Sequence, residues 1–323
     1  MQAKPAFLPH EIYFVGTPLL DCSWHPAHFS ASVLSHRTAC TAPSVFHREN
    51  ALGTQVQKSC RIEGMNYWRE RSQPYKPGQE APFKVSRSKI ELFMQCPRCF
   101  WLDVRLKISR PSSPPFNINK AIDELFKKEF DTYRQKGEPH PMMVEFGVDA
   151  IPYAHDELDK WRENFVGVTT VHEPTNLHVF GAVDDIWVND AGELIVVDYK
   201  ATSKDREVSI DSDWQISYKR QMETYQWLLR QNGFEVSDTG YFVYTNARMD
   251  LDAFGDKLEF KTKVIPYTGK DSWVEPTLKK MKDCMEGDMP GVGDSIMGGP
   301  CEHCTYARAR TELTMKHLKK RAK

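Results

Sequence analysis

The sequence lacks an excess of charge of either sign: 43 lysines and arginines meet 44 aspartates and glutamates, a formal net charge of -1. Binding a polyanion through overall charge is thereby excluded, although a local basic face such as "KHLKKRAK" (residues 316–323) is not. No apolar run approaches the ~18–20 residues that a bilayer span requires. Low-complexity blocks and internal repeats are missing too. The first apolar stretch, "IYFVGTPLL", is broken by Gly and Pro and has no basic lead, so no secretory leader is expected. These absences point to a reducing, cytoplasmic compartment, where closely spaced cysteines serve metals more often than disulfides.

Of eight cysteines, Cys22, Cys40, Cys60 and Cys284 are scattered, whereas Cys96, Cys99, Cys301 and Cys304 form two Cys-x-x-Cys pairs, "CPRC" and "CEHC". Two such pairs are a strong metal signal. They lie about 200 residues apart and bracket nearly everything that is orderly in the chain.

Residues 1–64 show neither helical nor strand periodicity and read as a disordered or non-native extension, followed by an extended arm over 65–85. From residue 86 the text becomes regular. Ser86 and Ser88 are suited to cap a helix through "SKIELFMQCPRCFWLDVRL", which Pro97 should break. "NKAIDELFKKEFDTYRQKG" is a strong helix ended by Gly137, and "AHDELDKWRENF" a weaker one. "TNLHVFGAVDDIWVND" and "GELIVVDYKA" read as two strands of a hairpin turned at "NDAG". A long amphipathic helix, "DWQISYKRQMETYQWLLRQNG", two further strands and two closing helices complete a mixed α/β domain over 86–323. The Gly-rich "GVGDSIMGGP" has no phosphate-cradling context and reads as a flexible connection.

The chemistry concentrates at the end of a strand that should be buried. Asp198 and Lys200, two residues apart, point to the same face of it. The hairpin brings Asp184 toward that face, and two converging carboxylates repel unless a divalent cation lies between them. Hard oxygen ligands of this kind suit Mg²⁺ or Mn²⁺. An internal Asp–Lys ion pair accounts for the pair of charges equally well. On the following helix, Gln221 and Tyr225 stand at i and i+4, one polar-tipped face of an otherwise apolar segment.

Taken in order, "GAVDD", "VDYK" and "QMETY" resemble the successive motifs of the PD-(D/E)XK nuclease superfamily, specifically its RecB-like branch, which includes CRISPR-adaptation exonucleases and the nuclease domains of helicase–nucleases. The resemblance spans about residues 86–310. It implies a restriction-endonuclease-like core, a central mixed sheet flanked by helices. Asp184 and Asp198 correspond to the strand metal ligands, Lys200 to the catalytic lysine, and Gln221 and Tyr225 to the polar pair that places substrate. Asp123, with Glu124 as its substitute, stands where the family commonly has a histidine ligand on an earlier helix, and Asn119 replaces a glycine. The implied activity is Mg²⁺- or Mn²⁺-dependent hydrolysis of phosphodiester bonds in DNA, single-stranded DNA included, with a helicase or other repair protein as companion. Arg98, Arg105, Lys107, Lys219 and Arg220 are the expected phosphate contacts.

Several RecB-like nucleases hold an iron–sulfur cluster through one cysteine of a "CPR" element and three near the C-terminus. Cys96, Cys301 and Cys304 match that pattern, the last cysteine is missing, and Cys99 takes its place. The resemblance therefore implies a [4Fe–4S] centre joining the two ends of the domain, while the two-plus-two spacing is equally that of zinc. The competing expectation is a nuclease fold without activity that binds nucleic acid or a protein partner.

Overall fold

The computed structural model describes residues 73–112, 117–294 and 299–321. The expectation for residues 1–64 lies outside these. The chain enters as a strand, β1 (Phe83–Ser86), that runs directly into α1 (Arg87–Gln95) and α2 (Pro97–Leu106). Proline at the first position of α2 separates the two helices at Cys96, as a residue without an N–H must. Ser86 does stand at the N-cap of α1, but its hydroxyl pairs with that of Ser88 at 2.8 Å and caps no backbone N–H.

A 20-residue helix follows, α3 (Asn117–Lys136), ended by Gly137 in the left-handed region. Next come a short helix α4 (Pro141–Glu145), strand β2 (Ile151–Pro152) and the single turn α5 (Leu158–Arg162). The helix expected over 154–165 shrinks to that turn because Glu163 is already extended and Phe165 has positive φ.

Strands β3 (Val168–His172) and β4 (Leu177–Gly181) form an antiparallel pair, and β1 adds parallel to β4. The run expected as one strand over 175–190 is in fact two. Between Gly181 and Asp184 the chain leaves the first sheet, with Val183 N–H bonded to the Trp161 carbonyl, and re-enters a second sheet as β5 (Asp185–Val188). There it makes the expected hairpin with β6 (Leu194–Thr202), Gly192 supplying the positive φ of the turn.

The helix α6 (Ile216–Gln231) crosses over to β7 (Thr239–Ala247), which is parallel to β6, and β8 (Phe260–Thr268) closes the edge. The second sheet thus has the order β2-β5-β6-β7-β8, mixed in sense. Finally α7 (Val274–Glu286) packs beside α1 and α2, and α8 (Glu302–Arg321) buries no side chain.

The sheet has a different core on each face. On one, Met222, Tyr225, Leu228 and Leu229 of α6 meet Val196 and Phe242. On the other, Phe126 and Phe130 of α3 meet Trp187, Val197 and Tyr199, with Phe130 stacked on both His140 and Trp187. Each such aromatic contact adds about 0.5–1.5 kcal/mol beyond area burial. Glu223, buried in α6, accepts bonds from Tyr267, Trp273 and the Lys270 N–H, which pins the helix to the β8–α7 connection. Residues before β1 also join this unit, since Tyr75 is buried in the core.

Close approach of α6 to β7 depends on Gly240, where an added Cβ would sit 2.8 Å from the Val196 carbonyl oxygen as well as against the Met222 sulfur. Gly240→Ala is expected to cost about 1–3 kcal/mol, read as a melting temperature lowered by several degrees with the far-ultraviolet dichroism retained.

Candidate active site and thiolate centre

Strand β6 is the axis of the site. Because its side chains alternate, Asp198 and Lys200 face α6 while Tyr199 faces α3. Register in the β5–β6 hairpin pairs Asp185 with Val197, so Asp184, one residue earlier, comes level with Asp198. Asp184 is tied to β6 there, since its Oδ2 accepts the N–H of Tyr199, the residue after Asp198, at 2.9 Å. The two acids expected together are together.

Their surroundings explain the tension in the site. Asp198 has no solvent exposure, and beyond its ion pair with Lys200 neither carboxylate oxygen finds a hydrogen-bond donor among the described residues. Burial, reinforced by the charge of Asp198, pushes the Asp184 carboxyl up to about 7, although Lys200 and the Tyr199 N–H act in the opposite sense. Burial alone would lower the Lys200 ammonium, but Asp198 and Asp184 outweigh it and raise its pKa, which keeps the lysine cationic. One cation thus serves two acids, Asp198 fully buried and Asp184 half-buried. A buried carboxylate with one lysine as its partner among the described residues, beside a second carboxylate, is a donor set that suits a hard divalent ion, so these residues fit the metal that the sequence implies.

Asp123 is in α3, where Lys127 holds it at 2.7 Å. Its pKa is raised by burial and then by Asp184, which places it within electrostatic reach of the pair. It does not complete a compact three-ligand set, because the four cysteines are the group of ligating atoms found within 4.8 Å of one another among the described residues. To ligate, Asp123 must first leave Lys127. Glu124 is exposed, and Asn119 bonds the Ala201 carbonyl at 3.4 Å.

Gln221 donates to the Tyr225 hydroxyl at 3.2 Å. Burial raises the Tyr225 phenol, Arg87 opposes that, and Asp184 and Asp198 add to it, so the phenol keeps its proton and stays a donor beside the carboxylates. The ring lies against Gly181, where a Cβ would come within 2.5 Å of it. Sequence reasoning missed Tyr218, whose ring has the Lys200 ammonium 5.0 Å from its centroid. Positions 218, 221 and 225 share one helical face, and that spacing was the available signal.

The second acid of "GAVDD" has another task. Asp185 is fully buried and accepts from Arg134, from Arg162 at 2.8 Å, and from the Tyr199 hydroxyl at 2.7 Å. Asp131 joins the same arginines at the helix surface.

The expected phosphate contacts are mostly engaged within the fold. Arg98 donates to the Pro290 carbonyl at 2.9 Å, and Arg105 to the Met285 and Gly287 carbonyls at 2.5 and 3.3 Å. Arg105 therefore caps the C-terminal end of α7, and Arg98 holds the loop that follows it. Arg220 pairs with Glu91 at 3.1 Å, the Lys107 ammonium lies over Phe83, and Lys219 is 3.9 Å from Asp211 and 5.6 Å from the Tyr267 ring centroid. Beside Tyr225 opens a cleft of about 480 Å³ lined by Arg87, Lys89, Arg110, Asn164 and Gly181. Arg87 and Arg110 each carry a buried Nε without a partner among the described residues, but the terminal nitrogens of Arg110 are already engaged by Gln95 and Cys301.

The four cysteines converge although their pairs are far apart in sequence. Sγ–Sγ separations are 3.8 Å for Cys96–Cys304, 3.7 Å for Cys99–Cys301 and 3.5 Å for Cys99–Cys304. Gly293 donates its N–H to the Cys96 sulfur at 3.4 Å, and Arg110 donates to the Cys301 sulfur at 3.5 Å. Burial would raise the Cys96 thiol, but the Cys99 and Gly293 N–H groups and the neighbouring thiols bring it down to about 7. Within the run 291–300 expected as a flexible connection, of which 295–298 lie outside the described residues, Gly293 is tightly packed, since a Cβ there would sit 2.8 Å from the Cys96 Cα. Cys284 is apart from the cluster, its thiol pushed up to about 11 by burial.

A sequence model of the PD-(D/E)XK nuclease superfamily matches residues 117–309, more than half of the chain. No curated protein matches the sequence.

The raised Asp184 pKa fixes a pH dependence. The unfolded carboxyl ionises near its ordinary value, whereas the folded one holds its proton up to about 7, so the stability cost grows as pH rises and is complete above about 7. In protein free of added divalent ions, Asp184→Asn is expected to raise the melting temperature at pH 8. The gain should shrink by roughly 1–2 kcal/mol when the pH is lowered to 5.5, as thermal denaturation across that range would show.

Proposed function

The chain belongs to the PD-(D/E)XK nuclease superfamily, and from that premise we propose that it is a divalent-metal-dependent nuclease that hydrolyses phosphodiester bonds of DNA. The observation that carries the reading is Asp198, fully buried beside Asp184 with Lys200 as the one partner of its carboxylate among the described residues. A purely structural acid–lysine pair would be expected to bury its carboxylate with full hydrogen bonding, as Asp185 is buried one strand away.

Asp184 and Asp198 would hold Mg²⁺ or Mn²⁺, with Asp123 as a third ligand once released from Lys127. Such an ion supplies Lewis acidity toward a phosphoryl oxygen and acidifies water. The protein's own groups do the rest. Lys200, kept cationic by the two acids, stabilises negative charge on the phosphate in the transition state. Tyr225 donates from its phenol, and Gln221 fixes the direction of that donation. Arg87, unsatisfied and lining the adjacent cleft, is the phosphate contact we favour over Arg98, Arg105 and Arg220, whose guanidinium groups are engaged elsewhere.

The motif order places the chain, in this reading, with the RecB-like branch, including its CRISPR-adaptation-type exonucleases, and gives it a role in DNA repair, recombination or defence beside a helicase or similar partner in the cytoplasm. Cleavage of labelled single- and double-stranded DNA tests the activity. We expect hydrolysis only with Mg²⁺ or Mn²⁺, a loss of at least about 10³-fold in Asp198→Ala, and a comparable loss in Lys200→Ala. Equal rates in wild type and Asp198→Ala, or DNA binding without cleavage under either metal, would replace this reading with that of an inactive binding module.

A further inference from the structure

The thiolate centre poses its own question, because the resemblance that fits the carboxylate site implies a different metal from the one its geometry admits. In a four-iron cluster each thiolate binds its own iron at a corner of a cube and points away from the cube's centre. The cysteine sulfurs are thereby held far apart. A two-iron cluster binds its cysteines as two pairs on separate irons, and the pairs are again well separated. Here all four sulfurs lie within 4.8 Å of one another, and pairs drawn from opposite ends of the chain are 3.5–3.8 Å apart. No room remains among them for bridging sulfides and several irons.

The same distances match one ion. Zinc–thiolate bonds of about 2.3 Å directed to the corners of a tetrahedron set sulfur–sulfur edges of about 3.8 Å. A disulfide would require a separation of about 2.0 Å, and the four cysteines are free. The surrounding groups also suit a dianionic tetrathiolate. Gly293 offers an N–H to Cys96, and the Arg110 guanidinium, itself braced on Gln95 at 2.7 Å, reaches Cys301. Such outer donors orient ligands and offset their charge.

We propose that Cys96, Cys99, Cys301 and Cys304 hold a single Zn²⁺, a closed structural site that fastens the α1–α2 junction to the start of α8, in place of an iron–sulfur cluster. All four positions of the tetrahedron are taken by thiolates, so the ion has no open site for substrate and its role is to hold the fold. The proposal stands independently of the nuclease reading, because its readouts are metal content and spectra.

The full chain is to be purified anaerobically from iron-supplemented medium and, in parallel, from zinc-supplemented medium. We expect one zinc per chain and less than a tenth of an equivalent of iron in both, with no visible absorption. Zinc should be released in step with titration of four thiols by a mercurial. Co²⁺ exchanged into the wild-type protein should give the charge-transfer and ligand-field bands of a tetrahedral tetrathiolate, which keeps the test valid should Cys304→Ser fail to fold. Where Cys304→Ser does fold, its zinc content should fall at least tenfold. Four irons with inorganic sulfide per chain, a single iron, or a metal-free protein that takes up neither Zn²⁺ nor Co²⁺ would each overturn the assignment.

Discussion

The alternation of strand β6 governs the rest of the structure. Its two-residue period sends Asp198 and Lys200 to the α6 face and Tyr199 to the α3 face. The neighbouring acids of β5 are sorted by the same rule. Among the described residues Asp184 accepts the Tyr199 N–H alone and faces Asp198, whereas Asp185 collects two arginines and a phenol on the far side. One acid is fully satisfied and serves the core. The other is held in an environment that resists its ionisation, as perturbed groups at functional sites are. A shift of one residue in register would exchange these roles.

Positive charge in the sequence divides in a comparable way. Arg98 and Arg105 look available for phosphate, yet they satisfy the last carbonyls of α7 and the loop after it, groups that a helix end otherwise leaves orphaned. Arg220 neutralises a buried glutamate. Arg87 sits at a helix start, carries no motif and, like Arg110, Arg134 and Arg162, has a buried Nε without a hydrogen-bond partner among the described residues. Those three are held through other nitrogens by acids, Gln95 or a thiol. Residue type is written in the sequence, but occupation of its hydrogen-bonding capacity is not.

The periodic segments were readable in advance. The boundaries of α3, α6 and the β5–β6 hairpin follow from apolar spacing and from Gly137, Gly233 and Gly192. So does the Asp184–Asp198–Lys200 grouping, which requires only a hairpin and a two-residue period. Illegible was the change of sheet between Gly181 and Asp184, because an uninterrupted strand pattern runs across it. The reason lies outside the segment, in the Trp161 carbonyl and the ring of Tyr225. The cysteine pairing was legible as a metal signal through its spacing. The separation of the sulfurs, which discriminates between metals, depends on Gly293 bringing a distant loop against Cys96.

The Glu91–Arg220 pair has a consequence for dissecting this protein. Glu91 belongs to α1, which ends at the first thiolate, and Arg220 belongs to α6, adjoining Gln221. The helix that ends at the cysteine cluster therefore also grips the helix that carries the polar pair of the cleft. A fragment cut to the family-matched span, 117–309, would keep Asp184, Asp198 and Lys200 but lose Glu91, Arg87 and two of the four cysteines. Such a fragment would retain the motif and discard the contacts of α1 and α2 that brace it, so the structural support of the site extends beyond its recognisable signature.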